Sequence, residues 1–463
     1  MLRPLLITAL VASVHSDALR FRSPAEMGMS PERLESISRV VQRGIAAGGF
    51  PGAAVVVGRK GAVVYEQGFG ALSWGPGASP VSADNSIYDL ASLTKVIGTT
   101  TAAMILYDEG KLNLDEKVQR YVPDWVGGKR GVATVRMLLA HRAGLAAGRE
   151  LWRKAKNNPA LAREMVVTTK LAYTPGTGML YSDLGADLLG WVVESASGQK
   201  LNDFVAARVF KPLGMHNTGF LPADSLKYRI APTEMYPPRG YPLRGEVHDE
   251  NAHALGNVAG HAGLFGSASD LAIFAQMMLN RGEYNGVRVV ADSTVRLFTN
   301  EVAKSRALGW EIGNGEHGAG DYFDQHAFGH TGYTGTSLWI DPDRNMFVVI
   351  LTNRVHEARA RRPSYVIADV RADIADIAAL SVLDDGLAIP DMPETFRADR
   401  GENWNRPFRA RGLQAHVPGM STAAREEADR AARRSRSSAI KPAPASKAPA
   451  KAAANPTKSV AKR

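Results

Sequence analysis

The stretch Asp89-Leu90-Ala91-Ser92-Leu93-Thr94-Lys95-Val96-Ile97-Gly98 opens a helical run that continues through Met104, Ile105 and Leu106 to about Gly110 and is apolar nearly all round. A helix without a polar face has to be enclosed by other elements, so the fold must be built around this segment. Its first residues carry a serine and, three positions on, a lysine. Residues three apart on a helix share a face, with Cβ atoms roughly 5–6 Å apart, which lets Lys95 stand beside the Ser92 hydroxyl. Serine is a poor nucleophile until a base touches it. The partial positive charge and free N–H groups of a helix N-terminus favour an alkoxide or oxyanion there. Spacing alone singles out nothing, because Ser197 with Lys200 and Ser438 with Lys441 repeat it.

The flanking sequence says what encloses that helix. Ser30-Pro31-Glu32 combines an N-cap residue, a proline at the first helical position and a first-turn acid, and predicts a helix to about Ala47, stopped by Gly48-Gly49. Two β-rich runs follow, Ala53 to Gly58 and Ala62 to Glu66, joined by Arg59-Lys60-Gly61 as a hairpin, and then a Gly- and Pro-rich loop from Gly68 to Pro80. From Lys111 to about Met235 the pattern is mostly helical, with Asp183 to Ala196 amphipathic and closed by Gly198. That glycine puts Ser197 and Lys200 across a helix C-terminus. Ser267-Ala268-Ser269-Asp270 reads as a capped helix start. Strands are predicted at Leu308 to Ile312, Ser337 to Ile340 and Phe347 to Thr352, the last two joined by the turn Pro342-Asp343-Arg344-Asn345, before a final helix from Pro363 to about Leu380. This order predicts an α/β (α+β) fold: an antiparallel sheet flanked by N- and C-terminal helices, with a helical subdomain, roughly residues 111–260, inserted into it.

At 463 residues the chain can build a substantial core. Its net charge of +10 suggests a polyanion partner until it is located: residues 421–463 hold eleven Lys and Arg against three acids, leaving the rest at +2. That Ala-, Lys- and Pro-rich tail has almost nothing to bury and is expected to be disordered. It offers a surface for nucleic acid or an anionic envelope polymer, or serves only as a solvated extension. Residues 381–420, with little periodicity, read as an extended segment. The absence of cysteine excludes disulfides, thiolate metal sites and a cysteine nucleophile. Residues 1–18 (Arg3, an apolar run from Pro4 to Val14, then Ser16 and Ala18) fit a signal peptide and hence a periplasmic or secreted protein. The competing reading is an ordinary apolar N-terminal segment.

A serine nucleophile needs a base, a group to orient it and donors for the oxyanion. Leu180-Tyr181-Ser182-Asp183 can supply a hydroxyl that shuttles a proton and a carboxylate that holds the lysine; the alternative is a tyrosine packed at a helix start with Asp183 as its first-turn acid. Phe328-Gly329-His330-Thr331-Gly332-Tyr333-Thr334-Gly335 can let a substrate lie against an edge strand with free N–H groups, or be a plain turn.

Taken in order, Ser92-Leu93-Thr94-Lys95, Tyr181-Ser182-Asp183 and His330-Thr331-Gly332 resemble the motifs of the penicillin-recognising serine hydrolases, the class C β-lactamases, low-mass penicillin-binding proteins and related esterases. Thr134 to Leu145, Pro212-Leu213-Gly214-Met215 and Ala262 to Ala268 extend the resemblance, which covers residues 25–380. It implies a β-lactamase/transpeptidase-like fold with the site between sheet and helices, no cofactor, and an acyl-enzyme on Ser92. Lys95 and Tyr181 would handle protons, Asp183 would stand at the usual asparagine, and the N–H groups of Ser92 and Tyr333 would form the oxyanion hole. The implied substrates are D-alanyl peptides, small esters or other peptidoglycan-like molecules. A module that acylates without turnover and a β-lactamase are the alternatives.

Two departures bear on the substrate. His330 replaces the lysine usual in β-lactamases, and an imidazole with a pKa near 6.5 is mostly neutral at pH 7, so a permanent cation for a substrate carboxylate is missing from the motif. Asp183 adds negative charge to the same place. Both argue against an anionic substrate. Finally, His248-Asp249-Glu250-Asn251-Ala252-His253 and His261 form a histidine- and acid-rich stretch open to three readings: a zinc site, a loop lining the pocket, or a hydrogen-bonded turn. His141, at the end of a helical run, reads as structural.

Overall fold

The computed structural model describes residues 19–235, 239–303, 305–313, 318–359, 364–384 and 391–399. The leader, the basic tail and the Ser438 match lie outside them. The two early β-rich runs form strands Gly52–Arg59 and Ala62–Gly70, and the late ones form Ser337–Asp341 and Met346–Thr352. With Phe328–Thr331 and Glu311–Ile312 they make one six-stranded sheet. From one edge its order is Ala62–Gly70, Gly52–Arg59, Met346–Thr352, Ser337–Asp341, Phe328–Thr331 and Glu311–Ile312, antiparallel throughout.

The central strands read as unbroken apolar runs because both faces are covered. Ala53, Val55 and Val57 point to one core with Met346, Val348 and Ile350, while Ala54 and Val56 point to the other with Phe347, Val349 and Leu351. This is the period of two that a strand imposes. The first core is closed by the helices Ser36–Ala46 and Ser364–Leu380, the chain's terminal helices as anticipated. The second holds the Ser92 helix, the helix Ala268–Leu279 and the inserted helical block. Each fully buried valine or isoleucine in these layers contributes about 1.5–3 kcal/mol. At Gly58, where the register shifts, a Cβ would come within 2.1 Å of the Phe347 ring, so only glycine lets the strands close there.

Three features depart from the local pattern. The strand expected at Leu308 to Ile312 shrinks to Glu311–Ile312, because Gly309 turns the chain at φ +89° against Thr100. Phe328–Thr331 is itself a strand. A small sheet of Tyr88–Asp89, Leu264–Gly266 and Gly219–Phe220 has no counterpart in the prediction, since strands of two or three residues carry no readable period. It ties the start of the Ser92 helix to the segment after His261, with Leu90 N–H donating to Leu264 O at 2.9 Å. Beyond residue 380, Phe396 and Ala398 are buried against the terminal helices and Arg397 pairs with Asp373 and Asp376.

Candidate active site

Ser92 sits at a turn that the rest of the molecule holds from several sides. Ala91 takes a left-handed conformation, φ +47°, and its N–H donates to Asp89 Oδ1 at 2.8 Å. The hydroxyls of Thr334 and Thr336 donate to the carbonyls of Asp89 and Leu90 at 2.7 and 3.0 Å, fastening the His330-Thr331-Gly332 strand end to the serine turn. Gly332 is required by that closeness: a Cβ would lie 2.1 Å from Thr336 Oγ1 and 2.6 Å from Leu90 O. The helix begins at Leu93, and Lys95–Thr100 is a π-helical turn, a distortion frequent at functional sites.

The three-residue spacing places Lys95 Nζ 2.9 Å from Ser92 Oγ, as donor. Lys95 is buried, and its ammonium also pairs with Asp183 Oδ1 at 2.7 Å. Burial works against the charge, but Asp183 and the Tyr181 hydroxyl outweigh it and raise the pKa above the ordinary lysine value. Lys95 is therefore held as an ammonium. The two readings of Tyr181-Ser182-Asp183 both apply: Ser182 caps the helix Asp183–Ser197 by accepting from Gly185 N, and that cap fixes Asp183, in the first turn, against Lys95.

Tyr181 is held in a cage of rings and cations. Its ring centroid lies 4.7 Å from His141, 5.9 Å from His330, 4.9 Å from Lys95 Nζ and 5.2 Å from Arg306 Cζ. His141, read as structural, accepts the Ser182 N–H on Nδ1 at 3.2 Å and so fixes the backbone beside Tyr181. Burial and the nearby Arg306 and Lys95 hold its pKa well below the usual histidine value, leaving it neutral. The same three causes keep His330 neutral. His330 Nδ1 donates to Thr331 O at 2.8 Å, which leaves Nε2 buried, 3.9 Å from Glu311 Oε1 and without a hydrogen-bond partner among the described residues.

Ser92, Tyr181, His330, Thr331, Gly332 and Tyr333 line one cavity of about 560 Å³. Lys95 and Asp183 stand behind its serine. The Ser92 and Tyr333 N–H groups make no hydrogen bond among the described residues and are available as oxyanion donors. The cavity also contains what the sequence left out: Arg306, Glu311, Arg354 and Arg371. Arg306 pairs with Glu311 at 2.9 Å, yet its Nη1 and Glu311 Oε2 are buried without partners among the described residues. Arg371 donates to the carbonyls of Gly332 and Thr336, both at 2.7 Å, and holds the loop that carries Tyr333. Burial and Arg354 pull its pKa down to about 9, still charged at neutral pH. The expectation that permanent cations are missing is thereby corrected. They come from the residue 306 segment, the end of the Met346–Thr352 strand and the Ser364–Leu380 helix, none of which carries a local motif.

The histidine-rich stretch does not gather its rings on one point. His248 Nε2 meets Glu234 at 3.0 Å, His253 Nδ1 meets Asn257 at 2.8 Å, and His261 lies between Asp187 and Asp249. Each ring has its own partner, so the zinc reading is not supported by their placement. His248 instead stacks on Tyr333 at 6.0 Å, and His261 O accepts from Lys95 Nζ at 3.3 Å.

Comparison with known proteins identifies relatives of the whole domain. The model of the family described as Beta-lactamase matches residues 37–372. A protein of Escherichia coli (strain K12) named "Putative D-alanyl-D-alanine carboxypeptidase" is 33% identical over 388 residues, covering 76% of this chain and 89% of that protein. Among solved structures, a penicillin-binding protein homolog from Caulobacter crescentus superposes with a TM-score of 0.61 at 18% identity, over 76% of this chain and 99% of that one. EstCE1, described as a hydrolase with promiscuous acyltransferase activity, gives 0.60 at 23% identity, over 75% and 99%. At these identities the two structures speak for the fold.

Proposed function

The chain belongs to the beta-lactamase family and is a serine hydrolase of the β-lactamase/D-alanyl-D-alanine carboxypeptidase type, and on that premise we propose that Ser92 is its nucleophile and a D-alanyl peptide its substrate. The observation that carries the site is the 2.9 Å contact of Ser92 Oγ, in the wall of the 560 Å³ cavity, with the buried Lys95 ammonium behind it. An ammonium cannot accept the serine proton. Its part is to stabilise the negative charge that develops on Ser92 Oγ, and Tyr181 carries the proton. As Ser92 Oγ attacks the carbonyl carbon, its proton passes to the Tyr181 oxygen while the tyrosine proton moves to the departing amine, and the carbonyl oxygen settles between the Ser92 and Tyr333 N–H groups. Water then reverses the path: its proton goes to Tyr181, the tyrosine proton returns to Ser92 Oγ, and the acid leaves. Losing one oxyanion donor costs about 10²–10³ in rate.

The peptide substrate is supported by the relatives' name and by the arginines. A D-alanyl peptide ends in a carboxylate, and the guanidinium groups of Arg306, Arg354 and Arg371 line the same cavity as Ser92. Guanidinium groups in a pocket wall favour a carboxylate over a neutral ester. We place the enzyme in the periplasm or outside the cell on the strength of the leader sequence and that substrate. Among the described residues no helix is long and apolar enough to cross a membrane.

A panel of a D-Ala-D-Ala peptide, a nitrophenyl ester and a chromogenic cephalosporin, each run with wild type and Ser92→Ala, tests the proposal. The expected result is steady, Ser92-dependent release of D-alanine with the highest kcat/KM of the three. Turnover that survives Ser92→Ala overturns the site. A preference for the ester or the cephalosporin overturns the substrate, and a stable adduct without turnover marks a module that only acylates.

A further inference from the structure

The buried charge cluster behind Lys95 is not used by the chemistry above. His261 lies on the segment between the helix Glu250–Ala254 and the strand Leu264–Gly266. Its Nδ1 is 2.6 Å from Asp187 Oδ1 and its Nε2 is 2.9 Å from Asp249 Oδ1. Both carboxylates are anchored: Asp187 is buried inside the helix Asp183–Ser197, and Asp249 caps the helix Glu250–Ala254 by accepting from Asn251 and Ala252. The segment is wedged in place, since a Cβ on Gly260 would lie 2.0 Å from Ala186 O, and Gly260 O accepts from Thr99 Oγ1 at 2.7 Å. The main-chain carbonyl of His261 then faces Lys95 Nζ at 3.3 Å.

Resting on the assignment of Ser92 and Lys95 as the reacting pair, we propose that His261 is a positioning residue for Lys95: an imidazolium clamped at both ring nitrogens between Asp187 and Asp249, which holds its own carbonyl against the lysine ammonium. An ionised carboxylate can only accept, so each ring nitrogen must carry a hydrogen. The two carboxylates raise the His261 pKa well above the usual histidine value in spite of burial, and His261 in turn holds Asp249 well below the carboxylate range. Burial, with the neighbouring Asp183 carboxylate, pushes the Asp187 pKa up against the pull of His261, which meets it at hydrogen-bond distance. Charged and titratable groups reach the clamp from every element packed on it: Asp187 and Asp183 from the helix Asp183–Ser197, Asp249 and His248 from the preceding loop, Asp89 from its strand and Lys95 from the serine helix. Because the ring cannot turn without breaking an ion pair, the carbonyl and with it Nζ stay fixed relative to Ser92.

Two variants test this on the full chain with a nitrophenyl ester, beside Ser92→Ala. Asp187→Asn keeps the shape of the clamp and removes one charge; it should lower kcat about 10-fold with KM unchanged and bring the basic limb of the pH–rate profile to lower pH, since His261 then loses its proton earlier. His261→Gln should lower kcat about 10²-fold at every pH, the scale on which a small misplacement of a catalytic group is felt. Folded variants whose kcat and pH profile stay within about twofold of wild type would overturn the clamp. If neither variant folds, ring-nitrogen NMR shifts of histidine-labelled wild type decide: an imidazolium signature for His261 persisting at about pH 8 supports it, and a neutral ring overturns it. Turnover retained by Ser92→Ala, in contrast, would count against the nucleophile and not against the clamp.

Discussion

Ser92 with Lys95 and Ser197 with Lys200 have the same spacing and opposite fates. The first pair opens a buried helix; the second straddles the end of one, where Gly198 turns the chain at φ +70°. The Lys95 side chain is 4% exposed and meets Ser92 and Asp183, whereas that of Lys200 is 74% exposed and reaches Glu194 at 3.6 Å. Ser197 Oγ is spent on the carbonyls of Glu194 and Gln199. The pattern Ser-x-x-Lys therefore has no chemistry of its own. At Lys95 burial removes water and a carboxylate maintains the charge, whereas Lys200 stands in solvent.

The contrast can be broken at either pair. Ser92→Ala should lower kcat for the preferred substrate by about 10⁶-fold, as removal of a nucleophile does, while Ser197→Ala leaves it within about twofold. Equal losses in the two assays would erase the distinction. Lys95→Ala should cost about 10²–10³ in kcat, the scale of one lost oxyanion contact, and Lys200→Ala nothing measurable in the same assay.

Asp183→Asn sharpens the argument through pH. The Lys95 pKa is raised on folding, so its stabilising contribution is complete below the unfolded value of about 10.4 and is lost as pH rises through the folded one. Without Asp183 burial dominates and the lysine sheds its proton earlier. The basic limb of the rate profile should move to lower pH, and the melting temperature at neutral pH should fall; an unmoved limb would mean that Asp183 does not hold the charge. The smallest effect belongs to the silent pair: Gly198→Ala meets no atom within 4 Å and forces only a left-handed alanine, costing about 1 kcal/mol in a melting experiment with kcat unchanged.

Much of the fold was legible because its strands and helices carry local periods. The Ser30 cap with its proline, the stop at Gly48, the hairpin strands around Lys60 and the cap at Ser182 all stand where residue chemistry places them. The small sheet was not legible, because its strands are two or three residues long and are held by partners far away in sequence. The site divides likewise. Ser92, Lys95, Tyr181 and the His330 strand announced themselves through motif order, while Arg306, Glu311 and Arg371 did not. Judging the pocket by His330 and Asp183 alone led to the expectation that it lacks permanent cations, and three arginines in the cavity wall supply them.

By itself the sequence determined which segments are helices and strands, which faces they bury, and that one serine stands at the start of an apolar helix with a lysine on its face. Those are consequences of periods of two and 3.6 and of short-range sterics. Only the tertiary structure decided that Asp183 would pair with Lys95, that Arg306 would join the wall of the Ser92 cavity, and that the carbonyl of His261, 166 positions from Lys95, would lie against its ammonium. Those meetings depend on how closely packed elements close on one another, and close packing is settled by the whole chain at once.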